Sequence, residues 1–220
     1  MVIGIDVDGV LRDFPDALLK AVRKYHPEYI PSDFTEITEW DLENNFNCSR
    51  EELRQIYWYD HSDEVMGNGN PVYGAIEQMY DLFEWAEKEG HSLVCVTSQR
   101  KHAREHTLSW LGKYGLSFDT VYFRRGRYKW EVPVDYLVDD SPANWYFWKK
   151  GRGVEEGYIL MDRIYNQKIK STCRIKELSE VKGIITRNHN TDVTDKPLCL
   201  TKSDKSDFEF SPLTSSCLSG

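Results

Sequence analysis

Asp6 and Asp8 stand two residues apart in Asp6-Val7-Asp8-Gly9-Val10, directly after a short run rich in β-branched residues. Three further polar features follow along the chain: Thr97-Ser98, Lys129 and Asp139-Asp140. Each lies at or next to an apolar stretch, so a parallel sheet would bring all four to one edge and one small volume. Carboxylates crowded together repel strongly unless a cation joins them, and hard oxygen ligands favour Mg²⁺. Magnesium keeps waters and bridges to a substrate phosphate, so an oxygen-lined cleft of this kind points to phosphate chemistry. In such a cleft one aspartate can attack phosphorus and form an aspartyl-phosphate. A second, two residues on, can protonate the leaving alkoxide and then activate water. A hydroxyl beside a backbone N–H, with a lysine, would offset charge on the transferring group. Taken singly, the same residues have plainer roles: Asp-Gly makes a turn, and Thr97-Ser98 or Asp139-Asp140-Ser141-Pro142 begins a helix. Their joint occurrence, in order, favours the chemical reading.

The elements that must position these groups are legible from periodicity. Residues 2–7, 91–97, 120–123, 134–138 and 157–161 are short apolar runs that predict buried strands. Between them, Ile76, Met79, Tyr80, Phe83 and Ala86 recur at helical spacing up to Gly90, and Ala103, Leu108, Leu111 and Tyr114 up to Gly115. Pro142 suits the first turn of a further helix. This alternation predicts an α/β fold, a Rossmann-like parallel sheet flanked by helices. One segment breaks the rhythm. Residues 15–70 hold helical stretches at 16–25 and 49–59 and no strand, which predicts a helical cap inserted after the first strand, over the sheet edge where ligands bind. The expected organisation is a core of residues 1–14 and 71–183, a cap of 15–70, and a flexible Ser/Thr-rich tail of 184–220.

Composition narrows the classes of function. The chain has 220 residues, 40% of them hydrophobic and 13% aromatic, enough to bury a core, so wholesale disorder is excluded. Its 28 basic and 36 acidic residues give a net charge of −8, which argues against a nucleic-acid partner or an anionic membrane surface. No run approaches the length of a membrane span, and no signal-peptide pattern opens the sequence. The five cysteines are scattered without Cys-x-x-Cys spacing, which predicts reduced thiols in the cytoplasm. Arg124, Arg125, Arg127 and Lys129 form a local basic cluster able to steer an anionic substrate. His102 and His106 enclose no zincin pattern and read as one face of a helix, and Trp145, Phe147 and Trp148 as packing residues.

Asp6-x-Asp8-Gly9, Thr97-Ser98, Lys129 and Asp139-Asp140, in that order, resemble the four motifs of haloacid dehalogenase-like (HAD) phosphatases, over about residues 1–165. More narrowly, the opening Asp6-Val7-Asp8-Gly9-Val10-Leu11-Arg12-Asp13-Phe14 is similar to that of 5′(3′)-deoxyribonucleotidases. Val10 sits where many superfamily phosphatases carry Thr, and agrees with the nucleotidase subgroup. The resemblance implies Asp6 as nucleophile and metal ligand, and Asp8 as general acid/base with its backbone carbonyl a second ligand. It implies Thr97, Ser98 and Lys129 on the phosphate, Asp139 and Asp140 completing a Mg²⁺ site, and Phe14 on the nucleobase, with Trp40 a second candidate for the base. The expected protein is a cytoplasmic, Mg²⁺-dependent phosphomonoesterase acting on a small-molecule nucleotide without a membrane; a homodimer is left open. Two alternatives stand beside it. A polynucleotide 3′-phosphatase is supported by the basic cluster and opposed by the acidic body. A catalytically silent nucleotide-binding HAD protein is opposed by the intact Asp6, Asp8, Lys129 and Asp139.

Overall fold

The computed structural model describes residues 1–190. In chain order the elements are β1 (Val2–Ile5), α1 (Phe14–Tyr25), α2 (Arg50–Gln55), α3 (Ala75–Glu89), β2 (Ser92–Thr97), α4 (Arg104–Lys113), β3 (Thr120–Phe123), β4 (Tyr136–Asp139), α5 (Pro142–Arg152), β5 (Tyr158–Met161), β6 (Arg174–Ile175) and α6 (Glu180–Asn190). The five expected strands all form. The two-residue β6 is added at the edge, too short to carry a period.

All six strands are parallel, in the order β3-β2-β1-β4-β5-β6. Successive strand residues point to opposite faces, and the two faces fill separate cores. Ile3, Ile5, Cys95, Val138 and Ile159 pack with Met79 and Leu82 of α3, Trp110 of α4 and Val181 of α6. Val94, Val96, Leu137 and Leu160 pack on the other side with Trp148 of α5. Burial on both faces explains why the strands read as continuous apolar runs. Strand order runs outward from β1 through β2 and β3 on one side, and through β4, β5 and β6 on the other. The crevice at the carboxyl ends of β1 and β4 is therefore the switch point at which open α/β sheets bind ligands.

The segment between β1 and α3 is helical and has its own core. Asp13 caps α1 by accepting from the Asp16 N–H at 3.1 Å, with Pro15 in the first turn. Ser49 and Glu52 form a reciprocal capping box on α2. The helical stretch expected at 49–59 forms, as α2 to Gln55 and a π turn over Ile56–Asp60, and a second π turn follows at Asp63–Gly67. Leu18, Val22, Ile37, Phe46, Leu53, Ile56, Val65 and Met66 bury against one another there, joined by Ala103 from the sheet domain. Trp110 Nε1 ties the segment down by donating to the Gly69 carbonyl at 2.6 Å.

The expected tail boundary at residue 184 requires correction. It falls inside α6, where Val181, Ile184 and Ile185 recur at helical spacing and are buried with Leu178 in the sheet's core. The remainder of the expected tail lies outside the described residues. Among the described residues no helix is long and apolar enough to cross a membrane.

Candidate active site

Asp6 follows directly on β1, and its backbone N–H still joins the ladder by donating to Val138 O at 2.9 Å. Asp139 is the last residue of β4 and Asp140 the next, so the pairing of β1 with β4 brings the three carboxylates together. One oxygen from each lies within 4.8 Å of the others, and all three residues are buried. Lys129 reaches them from a short two-turn 3-10 helix, Gly126–Glu131. Its Nζ contacts Asp6 Oδ2 at 2.6 Å and donates to Asp139 Oδ2 at 2.7 Å, and the side chain is buried.

Three buried acids share one buried cation, and the electrostatics follow. Burial alone would lower Lys129, but the charges of Asp139 and Asp6 outweigh it and hold the ammonium well above its usual value. Burial pushes Asp6 well above the ordinary carboxylate range against the pull of Lys129, with Asp139 and Asp140 adding to the rise. Asp140 is pushed up to about 7, by burial first and the Asp139 charge next. The site carries more negative charge than its own lysine offsets, on hard oxygen donors. That donor set fits a magnesium ion.

Asp139 and Asp140 differ in what they have left to offer. Asp139 Oδ1 accepts from the Ser141 N–H at 2.8 Å and from Asn144 Nδ2 at 3.2 Å. Its Oδ2 accepts from Lys129 and from Asn144 Nδ2 at 2.9 Å, so both oxygens are engaged by the protein. Asp140 lines a cavity of about 370 Å³, and Asp139 does not. Its Oδ2 accepts from the Tyr165 hydroxyl. Gly9 makes room for this: its φ is +76°, and a Cβ there would collide with the Asp140 carboxylate and the Tyr165 hydroxyl.

Asp8 stands apart from the three-carboxylate cluster. Arg12, wholly buried, donates to Asp8 Oδ1 from Nε at 2.9 Å and from Nη2 at 2.7 Å, and Gln99 Nε2 donates to Oδ2 at 2.5 Å. Arg12 also donates to the Met66 carbonyl and, at 3.3 Å, to Thr107 Oγ1, joining Asp8 to the helical segment and to α4. Ser98 lines the cavity, with its hydroxyl donating to the Arg124 carbonyl at 2.8 Å. Thr97 is wholly buried at the end of β2, its Oγ1 3.5 Å from Gln99 Nε2, and does not line the cavity.

The cavity runs from these groups to the helical segment. Its walls include Phe14, Trp40, Tyr57 and Trp58 together with Asp6, Asp8, Lys129 and Asp140. Phe14 packs edge-on against Tyr57 at 5.4 Å, and Trp40 meets Tyr165 at 5.8 Å. Of the basic cluster, Arg127 and Lys129 line the cavity, while Arg124 is paired with Glu131 at 2.5 Å. Arg12, Gln99, Asn144 and Tyr165 are the site residues that periodicity and motif order missed. Arg12, four residues after Asp8, Gln99, next to Ser98, and Asn144, in the first turn of α5, stood close enough in sequence to be suspected; Tyr165 did not.

Residues 1–191 match the family model described as 5′ nucleotidase, deoxy (pyrimidine), cytosolic type C protein. The chain belongs to this family. It is accordingly a phosphoric monoester hydrolase of the nucleotidase kind. A Bacillus cereus protein named as a nucleotidase is 25% identical over 152 residues, covering 65% of this chain and 78% of its own. Two solved structures share the HAD fold. HAD-hydrolase YfnB of Bacillus subtilis, bound to magnesium, superposes with a TM-score of 0.53 at 18% identity, over 84% of this chain and 98% of its own. L-2-haloacid dehalogenase of Xanthobacter autotrophicus gives 0.52 at 12%, over the same shares.

The raised Asp140 makes stability depend on pH in a defined direction. Between pH 4 and 7 the folded protein keeps a proton on Asp140 that the unfolded chain has lost, so stability falls as pH rises through that window. In chelator, the thermal midpoint is expected to drop more steeply from pH 5 to 8 in wild type than in Asp140→Asn. Parallel slopes by calorimetry would contradict the assignment.

Proposed function

We propose that this nucleotidase is a Mg²⁺-dependent 5′(3′)-deoxyribonucleotidase that releases phosphate from deoxynucleoside monophosphates through an aspartyl-phosphate on Asp6. The observation that carries this reading is one cavity lined both by Asp6, Lys129 and Asp140 and by Phe14, Trp40, Tyr57 and Trp58. A lysine, and carboxylates able to hold a cation, suit a phosphate, and the aromatic rings suit a base, each face being able to stack.

In this mechanism Asp6 attacks phosphorus, the ester P–O bond breaks, and the leaving oxygen takes a proton from Asp8. Asp8 then removes a proton from water. The water oxygen attacks phosphorus, breaks the acyl-phosphate bond, and returns Asp6 as a carboxylate with inorganic phosphate released. Arg12 and Gln99 orient Asp8 from the side that joins it to the helical segment. Lys129 remains protonated and balances charge, with Ser98 at the end of β2 as the phosphate-binding hydroxyl on the cavity wall, while Thr97, buried beneath it, does not reach the cavity. Asp6 and Asp140, with the Asp8 carbonyl as the family resemblance implies, would hold Mg²⁺, which supplies charge neutralisation for the transferring group. Asp139 serves as the anchor of Lys129. The helical segment 15–70 acts as a cap that contributes Trp40, Tyr57 and Trp58 to the base site beside Phe14, and the family's description supports a cytosolic protein.

A mononucleotide fits the basic cluster better than a polynucleotide does, because Arg124 is spent on Glu131 and the cavity keeps Arg127 and Lys129. Phosphate release should be measured with ribo- and deoxynucleoside monophosphates, sugar phosphates and 3′-phosphorylated oligonucleotides, with and without Mg²⁺. Deoxynucleoside monophosphates are expected to lead, and only with the metal. Preference for the oligonucleotides would overturn the substrate assignment.

A further inference from the structure

We propose that Tyr165 is a positioning residue for Asp140: its hydroxyl takes up one carboxylate oxygen and so turns the other toward the cation. This rests on the magnesium reading of the site and adds to it a residue that lies outside the four motifs.

Tyr165 belongs to the single turn Ile164–Asn166 that follows β5, and three of its neighbourhood's side chains grip the strand ends beside it. Arg163 Nε donates to the Gly9 carbonyl at 2.7 Å. Asn166 Nδ2 donates to the Asp140 carbonyl and to the Met161 carbonyl, each at 2.8 Å. Tyr165 itself donates to Asp140 Oδ2. The Asp140 backbone is thus held by Asn166 and its carboxylate by Tyr165. Among the described residues, Asp140 Oδ1 accepts no hydrogen bond, whereas Asp6 and Asp139 have donors on both oxygens.

Rotation about the terminal torsion of an aspartate is soft and roughly two-fold. Without an anchor the carboxylate would sample orientations that present neither oxygen well. The tyrosine removes that freedom, and its own ring is fixed by Trp40 at 5.8 Å. An exposed ion pair, Lys168 to Glu39 at 3.3 Å, joins the same two parts of the chain. Partners of this kind behind a metal-binding group typically change metal affinity by about 10- to 100-fold.

The test is Tyr165→Phe, which deletes the hydroxyl and keeps the ring against Trp40. Binding of MgCl₂ to the substrate-free protein is measured by titration calorimetry, alongside thermal midpoints in chelator and the Mg²⁺ needed for half-maximal phosphate release. The Mg²⁺ dissociation constant is expected to rise about ten-fold or more, the half-maximal concentration to rise with it, and the metal-free midpoint to fall only by what the loss of one hydrogen bond to Asp140 costs. Unchanged Mg²⁺ affinity overturns the positioning role. So does a fall in metal-free midpoint large enough to account for the loss, which would make Tyr165 a packing residue. Wild type that takes up no Mg²⁺ overturns the magnesium reading itself, a separate and recognisable failure.

Discussion

Asp6→Asn is expected to abolish phosphate release, lowering kcat by about 10⁴-fold or more while leaving the protein folded. The carboxamide keeps the shape of the side chain and an acceptor for the Val7 N–H, but its oxygen is a poor nucleophile toward phosphorus. Stability should not suffer. Burial and the neighbouring acids already push Asp6 above the usual carboxylate range, so the fold gains little from its charge. Steady-state phosphate release at saturating Mg²⁺, with circular dichroism to confirm folding, decides the matter. Turnover within ten-fold of wild type would remove Asp6 from the chemistry and, with it, the aspartyl-phosphate.

Lys129→Met is expected to damage both activity and stability. The ammonium is the cation shared by Asp6 and Asp139, at 2.6 and 2.7 Å, and all three groups are buried. Removing one partner from a buried ion pair leaves an uncompensated charge, at a cost of about 3–5 kcal/mol. Loss of the charge facing the phosphoryl group should lower kcat by about 10²- to 10³-fold in addition. The stability loss carries a sign. It should be greatest at high pH, where Asp6 is ionised, and shrink as pH falls and Asp6, whose buried carboxyl sits above the ordinary range, takes up its proton. Lys129→Arg restores a charge but not a compact ammonium, and its planar fork should recover stability better than turnover. Chemical denaturation at two pH values checks the first claim, and a variant as stable as wild type at pH 8 would refute it.

The strands and the approximate helices were legible because their signals are local. An apolar run a few residues long, closed by Asp-Gly or followed by Ser-Pro, says the same thing in isolation as in the fold. Motif order then placed Asp6, Lys129 and Asp140 at one edge, since parallel strands align their carboxyl ends. Even Phe14 and Trp40, read from resemblance alone, line the cavity. The local signal failed where tertiary packing overrides it. Residues 49–59 are helical as their period says, but the change from α to π winding at Ile56 is not written in it. The Ser/Thr-rich composition near the C-terminus hid the last turns of α6, whose few apolar residues are all spent on the core.

By itself the sequence determined the fold class, the edge at which the chemistry sits, and the residue types assembled there. Tertiary structure decided which of those residues are free to act. Asp139 and Asp140 are adjacent and identical in type, but one has both oxygens engaged by Lys129, Asn144 and the Ser141 N–H, while the other faces the cavity. Gln99 reaches Asp8 across 91 residues and Tyr165 reaches Asp140 across 25. No local pattern encodes such pairs. They form because separate loops, each ending a strand of the same sheet, are forced to share one small volume, and a buried carboxylate is tolerated there only with donors around it.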